Sequence, residues 1–361
     1  MLNSESPWHL HFAQNASLVL LSLFFLPIDS FILVFAYAIQ VLSPQNAARR
    51  SVRRSPGFRP RTILVTGVAM SKGLVLARAF YQAGHNVIGA DIEHLGIPVC
   101  GRFSRAVKKY YTLPDPTRSD GTAYYHQDLL RIVQREKVDL WVSCSGVRSA
   151  VEDGEAMELI EERSNCKAFQ FDAKTTATLH EKYSFIQHTM SLGLPTPETY
   201  DVTSRATVHK ILNRTKEKKY IMKTVGEDDA RRGDMTLLPR RTISATYQHL
   251  SNIPISEQKP WVLQQFIKGE EYCTHAVVVG GEVKAFVACP SLDLLMHYKA
   301  LPPTSSLSMA MLKFTSEFAA RSGKHMTGHL SFDFLVQETV TEKGSRRRCT
   351  RSSVTLGRIL Q

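Results

Sequence analysis

Residues Leu18 to Leu42 form an almost unbroken apolar run, LVLLSLFFLPIDSFILVFAYAIQVL. Its length matches the ~20 apolar residues that one membrane-spanning helix requires. Pro27 and Asp29 interrupt it, so three readings stand: a kinked span, two short segments dipping into one leaflet, or a long signal peptide. Against the third, no basic residue precedes the run. From Arg61 the pattern changes to short apolar strands alternating with amphipathic stretches. TILVTG reads as a strand, MSKGLVLARAFYQAG as a helix ended by Gly84, and HNVIGADI, VDLWVSCSG and KAFQFD as further strands. This alternation predicts a parallel sheet open at its carboxyl ends. Beyond Thr175 comes one long helix, TTATLHEKYSFIQHTMSLG, and then the proline-punctuated LPTPETY. KYIMKTV, PWVLQQFI, CTHAVVVGG, EVKAFVAC and HLSFDFLVQE follow as strands, with Gly280-Gly281 as a hairpin turn. The fold class is α/β followed by α+β, behind an N-terminal apolar anchor.

Composition narrows the partners. The formal net charge is +12, which by itself suggests nucleic acid or anionic lipid. Two acid-free stretches hold the excess: Arg49, Arg50, Arg53, Arg54, Arg59 and Arg61, then Lys343, Arg346, Arg347, Arg348, Arg351 and Arg358. Outside them 33 basic residues balance 33 acidic ones, so a nucleic-acid-binding body is excluded. The first cluster follows the apolar run directly, where the positive-inside rule keeps the body in the cytoplasm and beside anionic lipid. The six cysteines are widely spaced without a CxxC pair, against zinc or a disulfide framework.

The turn from Gly67 to Gly73 leaves a strand and opens a helix, and Asp91 ends the next strand, as in a dinucleotide-binding fold. The Gly-x-Gly-x-x-Gly spacing is absent, with Met70 and Lys72 in the turn. A nucleotide-free Rossmann-like sheet is the reading carried forward, with a membrane-tethered NAD(P) oxidoreductase as its rival.

The second half orders several candidate residues. Lys182 lies on the helix before the proline turn, and Lys223 ends KYIMK. Gln264, Gln265, Phe266 and Ile267 precede Lys268-Gly269-Glu270-Glu271, and Asp333 stands in SFDF. Together they resemble the ATP-grasp family over residues 61–338. The resemblance implies a pre-ATP-grasp Rossmann-like domain (61–173), an ATP-grasp domain (174–338) and the cofactors ATP and Mg2+. By the same resemblance Lys182 and Lys223 hold phosphates, and Gln264, Gln265 and the backbone at Ile267 face adenine. Glu271 would then face the ribose and Asp333 would bind magnesium. Such convergence of cations and metal-binding carboxylates is what phosphoryl transfer requires. DARRGD at 229–234 followed by LLP, Pro260-Trp261 and EYCTH at 271–275 are similar to mycosporine-glycine synthetase-like enzymes. Arg231 and Arg232 there would clamp an anionic group. The implied reaction phosphorylates a carboxylate or enolate and joins it to an amine or amino acid, in specialised metabolism.

Residues 1–60 are then anchor and basic linker, and 339–361 a basic tail where the family implies a further strand with an ECNPR-type motif. Synonymous codons for Arg348 to Gln361, read one base earlier, translate as VYAIECNPRTHTA. A frameshift between about Glu338 and Arg348 is the expectation. The ATP-grasp domain is incomplete as written, and a catalytically dead nucleotide-binding remnant is the corresponding alternative.

Overall fold

The computed structural model describes residues 7–42, 45–118, 121–146, 149–214, 218–224, 234–291, 299–337 and 353–358. Helix α1 (Trp8–Leu42) is one uninterrupted helix. It runs through Pro27, so the interruption expected there does not break it. Within Trp8–Ile39 an 18-residue window has mean hydropathy 2.5, and none of that window is buried by the rest of the chain. At 1.5 Å per residue α1 measures about 52 Å, longer than a hydrocarbon core of about 30 Å.

Helix α2 (Gln45–Arg54) carries Arg49 and Arg53 one turn apart, on one face. Both reach past helix α3 (Ser71–Gln82) to carbonyls at its carboxyl end. Arg49 donates to the carbonyls of Tyr81 and His85 and stacks over the Tyr81 ring. Arg53 donates to the Gly84 carbonyl at 2.7 Å and to Asn86 Oδ1 at 2.6 Å. Cations there complete the orphan carbonyls of the helix end. Arg49 and Arg53 of the basic cluster thus bind the body, as does Arg61, which donates to Asp139 Oδ1 at 3.0 Å.

The parallel sheet is built from β1 (Thr62–Thr66), β2 (Asn86–Ile92), β3 (Val107–Leu113), β4 (Leu140–Ser143) and β5 (Lys167–Phe169). Their order is β3-β2-β1-β4-β5, all parallel. Helices α4 (Gly121–Glu136) and α5 (Ala150–Arg163) cover one face over Leu129, Trp141 and Ile160. Helix α3 covers the other over Val65, Ala77 and Val87. Strand β3 is absent from the sequence reading because VKKYYTL lies at the sheet edge and shows no buried alternation.

The turn after β1 depends on glycine. Gly67 has φ +72°, and a Cβ on it would lie 2.3 Å from the Cys144 carbonyl oxygen. Gly67→Ala is therefore expected to cost at least about 2 kcal/mol, combining left-handed strain with a backbone clash. A urea titration reads this directly, and a midpoint equal to the parent's would show that the turn relaxes freely.

The helix expected after Thr175 is two helices, α6 (Ala173–His180) and α7 (Lys182–Ser191). Glu181 between them is extended, at φ −90° and ψ 124°, and its carboxylate accepts from the Ser184 amide. A capping side chain thus restarts the helix. Next comes an antiparallel sheet in the order β6-β8-β7. It contains β6 (Thr199–Val202), β7 (Tyr220–Thr224) and β8 (Trp261–Gln265), with helices α8 (Arg205–Arg214) and α9 (Ile243–Ser251) in the same unit. Val208, Leu212, Leu250 and Leu263 share its core.

A larger sheet, β10-β9-β11-β12, completes the chain. Strands β9 (Glu270–Val279) and β10 (Glu282–Pro290) form the expected hairpin, whose Gly280 and Gly281 have φ +61° and +79°. Helix α10 (Ser306–Ser322) and strand β11 (Gly328–Gln337) build its aromatic core with α7. The tail, expected to leave this edge bare, contributes β12 (Ser353–Arg358), antiparallel to β11 with Arg358 opposite Asp333. The adjacent β-branched residues Val354 and Thr355 suit a strand. Cys349 and the rest of 338–352 lie outside the described residues.

Candidate active site

Side-chain alternation along the two antiparallel sheets decides which residues can meet. In the small sheet, Tyr220, Met222 and Leu263 point into the core, so Lys223 and Gln264 point to the opposite face. There Lys223 Nζ donates to Gln264 Oε1 at 2.6 Å. Gln264 is only 5% exposed, and its amide donates onward to Thr199 Oγ1 at 3.4 Å. Gln265 turns the other way: its Oε1 accepts from the Glu198 amide at 3.3 Å. Of the two glutamines expected at the adenine, Gln264 alone shares a face with Lys223. The Phe266 amide donates to the Lys219 carbonyl, and the buried Ile267 lies on the short link from β8 to β9.

In the large sheet, Leu330, Phe332 and Phe334 pack into the core. His329, Ser331 and Asp333 therefore occupy the opposite face of β11. The register sets Asp333 across from Cys273, Ser331 across from His275 and Leu335 across from Glu271. Asp333, 3% exposed, thus shares a face with His275 and with the exposed Glu271. Cys273 is also paired with Cys289 on β10, their free thiols 3.3 Å apart. Burial, then Cys289 and then Asp333 push the Cys273 thiol up to about 12, so it stays protonated. His275 Nδ1 lies 3.3 Å from His329 Nε2, with the two rings stacked. Burial above all, then His275 and Lys72, push His329 down to about 4.

Asp333 fits a magnesium ligand by its chemistry: a buried carboxylate is a hard oxygen donor, and the neighbouring protonated Cys273 thiol does not compete for a hard cation. Among the described residues no cluster of three or more His, Cys, Asp or Glu forms a self-sufficient metal cage. That is compatible with a cation completed by phosphate oxygens. Lys182 begins α7, with its side chain outside the described set, and Arg231 and Arg232 lie outside the described residues altogether.

A second polar centre went unnoticed in the sequence. Asp153, 1% exposed, accepts from Tyr125 Oη at 2.5 Å and Ser143 Oγ at 2.6 Å. Burial raises its pKa to about 6, against the lowering effect of the Ser143, Tyr125 and Ser145 hydroxyls. The detectable signal was an acid inside the apolar stripe Ala150, Asp153, Gly154, Met157 and Ile160 of α5. A folded pKa above the unfolded value means that the native state holds the proton more tightly. This group's contribution is therefore fully present below about pH 4 and lost as pH rises through about 6. Asp153→Asn should remove that decline. The parent-minus-variant stability difference should change by about 2 kcal/mol between pH 4 and pH 7, measured by urea unfolding at each pH. A difference independent of pH would contradict it.

No family profile matches the sequence, and no curated protein matches it. Solved structures do match. An L-amino acid ligase from Bacillus licheniformis aligns over 78% of this chain and 64% of its own, at 12% identity and TM-score 0.53. N5-carboxyaminoimidazole synthetase from Staphylococcus aureus, complexed with ADP, aligns over 83% and 69%, at 12% identity and TM-score 0.55. Phosphoribosylglycinamide synthetase from Anaerococcus prevotii aligns over 83% and 68%, at 12% identity and TM-score 0.57. The chain thus spans about two thirds of the length of each. At such identity the likeness speaks for architecture, and the architecture is that of the ATP-grasp fold.

Proposed function

We propose that the chain is an ATP-dependent ligase that activates a carboxylate or enolate and joins it to an amine or amino acid. The observation that carries this reading is the Lys223–Gln264 pair. It sets a cation and an amide side by side on one sheet face, one short link away from the strands that bear Glu271 and Asp333. Lys223 would hold a phosphate, with Lys182 beside it from the start of α7. Gln264 would accept from the adenine amino group, the backbone at Ile267 would complete the adenine slot, and Glu271 would take the ribose. Asp333 would hold Mg2+, and Arg231 and Arg232 would clamp an anionic group.

Bound ATP with magnesium would supply the γ-phosphoryl group that activates the acid. The chain's own part is positioning, charge neutralisation and exclusion of water. No covalent enzyme nucleophile is required. The ADP complex among the matched structures supports the nucleotide, and the motifs at 229–234 and 271–275 support a mycosporine-glycine synthetase-like role in specialised metabolism. Helix α1, apolar and uncovered by the body, would anchor the protein in a membrane with the body in the cytoplasm.

The test is ADP release by the full-length chain in detergent, with ATP, Mg2+ and a panel of carboxylic acids and amines. Release that requires an acid and an amine together supports the ligase. Binding of NAD(P) without ATP would transfer the assignment to an oxidoreductase, and nucleotide binding without turnover to an inactive remnant.

A further inference from the structure

Two cavities abut at the carboxyl ends of the parallel sheet. The larger, about 480 Å³, has apolar walls that include Met70, Ile92, Ile97, Val99, Leu113 and Tyr125. Its carboxylates are Asp91 and Asp115, and no described lysine or arginine lines it. The smaller, about 60 Å³, is bounded by Lys72, Ser143, Asp153, Gln170 and His329. Ser145 and Gly146 border both. Tyr125 links them too, since it walls the larger while its hydroxyl bonds Asp153 in the smaller.

The charges of the small cavity select a head group. It offers one ammonium, one buried carboxyl and two serine hydroxyls in the volume of roughly two waters. A simple anion would meet Lys72 but face Asp153, and a simple cation would do the reverse. A group carrying both charges satisfies both walls. The large cavity accepts apolar bulk, and its carboxylates, Asp91 and an Asp115 that has His94 Nδ1 3.9 Å away, disfavour an acidic side chain.

We propose that the two cavities form one site for an amino acid with a large apolar or aromatic side chain. Its carboxylate lies at Lys72, its ammonium at Asp153 and its side chain in the larger space. This rests on the ligase reading, in which an amine is the attacking group. His329 stands at the head group, on the same face of β11 as Asp333 and four residues away, about 13 Å along the strand.

The experiment is calorimetric titration of the full-length chain in detergent, with ADP and magnesium present. The probes are L-phenylalanine, 2-phenylethylamine, 3-phenylpropionate and L-glutamate. L-Phenylalanine should bind; 2-phenylethylamine and 3-phenylpropionate, each lacking one charge-assisted bond, and L-glutamate, whose side-chain carboxylate would meet Asp91 and Asp115, should each bind at least about tenfold more weakly. Lys72→Met should bring L-phenylalanine down to the level of 2-phenylethylamine. A Cβ on Gly146 meets nothing within 4 Å, so Gly146→Val should fold normally, place its branch between the cavities and abolish L-phenylalanine binding. Failure of the parent to bind L-phenylalanine overturns the proposal, as does equal binding by the parent and both variants. ADP affinity in the same samples separates the two claims. ADP bound without amino acid sinks this site alone, whereas loss of both sinks the nucleotide reading beneath it.

Discussion

Asp333→Asn is expected to lower amine-dependent ADP release on the order of a thousandfold, the equivalent of about 4 kcal/mol of transition-state stabilisation. The substitution keeps the shape of the side chain and removes its negative charge, leaving a neutral amide that binds a hard cation poorly. Phe332 and Phe334, buried on either side, fix the strand. The variant should therefore fold with an unchanged or higher thermal midpoint, because a buried carboxylate is replaced by a neutral group. Nucleotide should still bind through Lys223 and Gln264, so the loss belongs to turnover. Steady-state ADP release with and without amine measures it. A variant within threefold of the parent would remove Asp333 from the reacting centre.

Phe332→Ala should cost about 3–5 kcal/mol of folding stability. The ring is fully buried and lies 5.0 Å from Phe318, 5.6 Å from Phe314, 5.9 Å from Phe334 and 6.1 Å from Phe185, centroid to centroid. Removing it opens a void that four rings on three different elements cannot close together. Val277→Ala is the control. Val277 lies on the opposite sheet face, partly exposed, where the loss should stay below about 1 kcal/mol. Urea midpoints of the two variants provide the comparison, and equal midpoints would contradict a core centred on Phe332. Because Asp333 follows it directly, the stability of that core also sets how firmly the carboxylate is aimed.

Sequence reasoning reached whatever was encoded locally. The apolar runs at β1, β2 and β4, the Gly280-Gly281 hairpin and the strand bearing Asp333 each announce themselves within about ten residues. Lys223 was legible for the same reason, as a cation within a short apolar strand. Strand β3 was missed because its pairing with β2 fixes it although Lys108 and Lys109 mark it as polar. The break at Glu181 was missed because one side-chain hydrogen bond to Ser184 decides it. Gln264 and Gln265 read alike in sequence, and only strand alternation separates the one beside Lys223 from the one beside Glu198. The polar centre at Asp153 and His329 joins residues from α5 and β11, a juxtaposition that no local pattern contains. Strand β12 was hidden because a basic tail without acids shows little of the alternation that its edge position tolerates.

The most direct measurement is equilibrium titration of ATP with magnesium into the full-length chain and into Lys223→Met. Saturable binding by the parent, weakened at least about tenfold in the variant through loss of a charge-assisted phosphate contact, is the result expected. Identical affinity in the two proteins, or no ATP binding while NAD(P) binds, would contradict a nucleotide site built around Lys223 and Gln264.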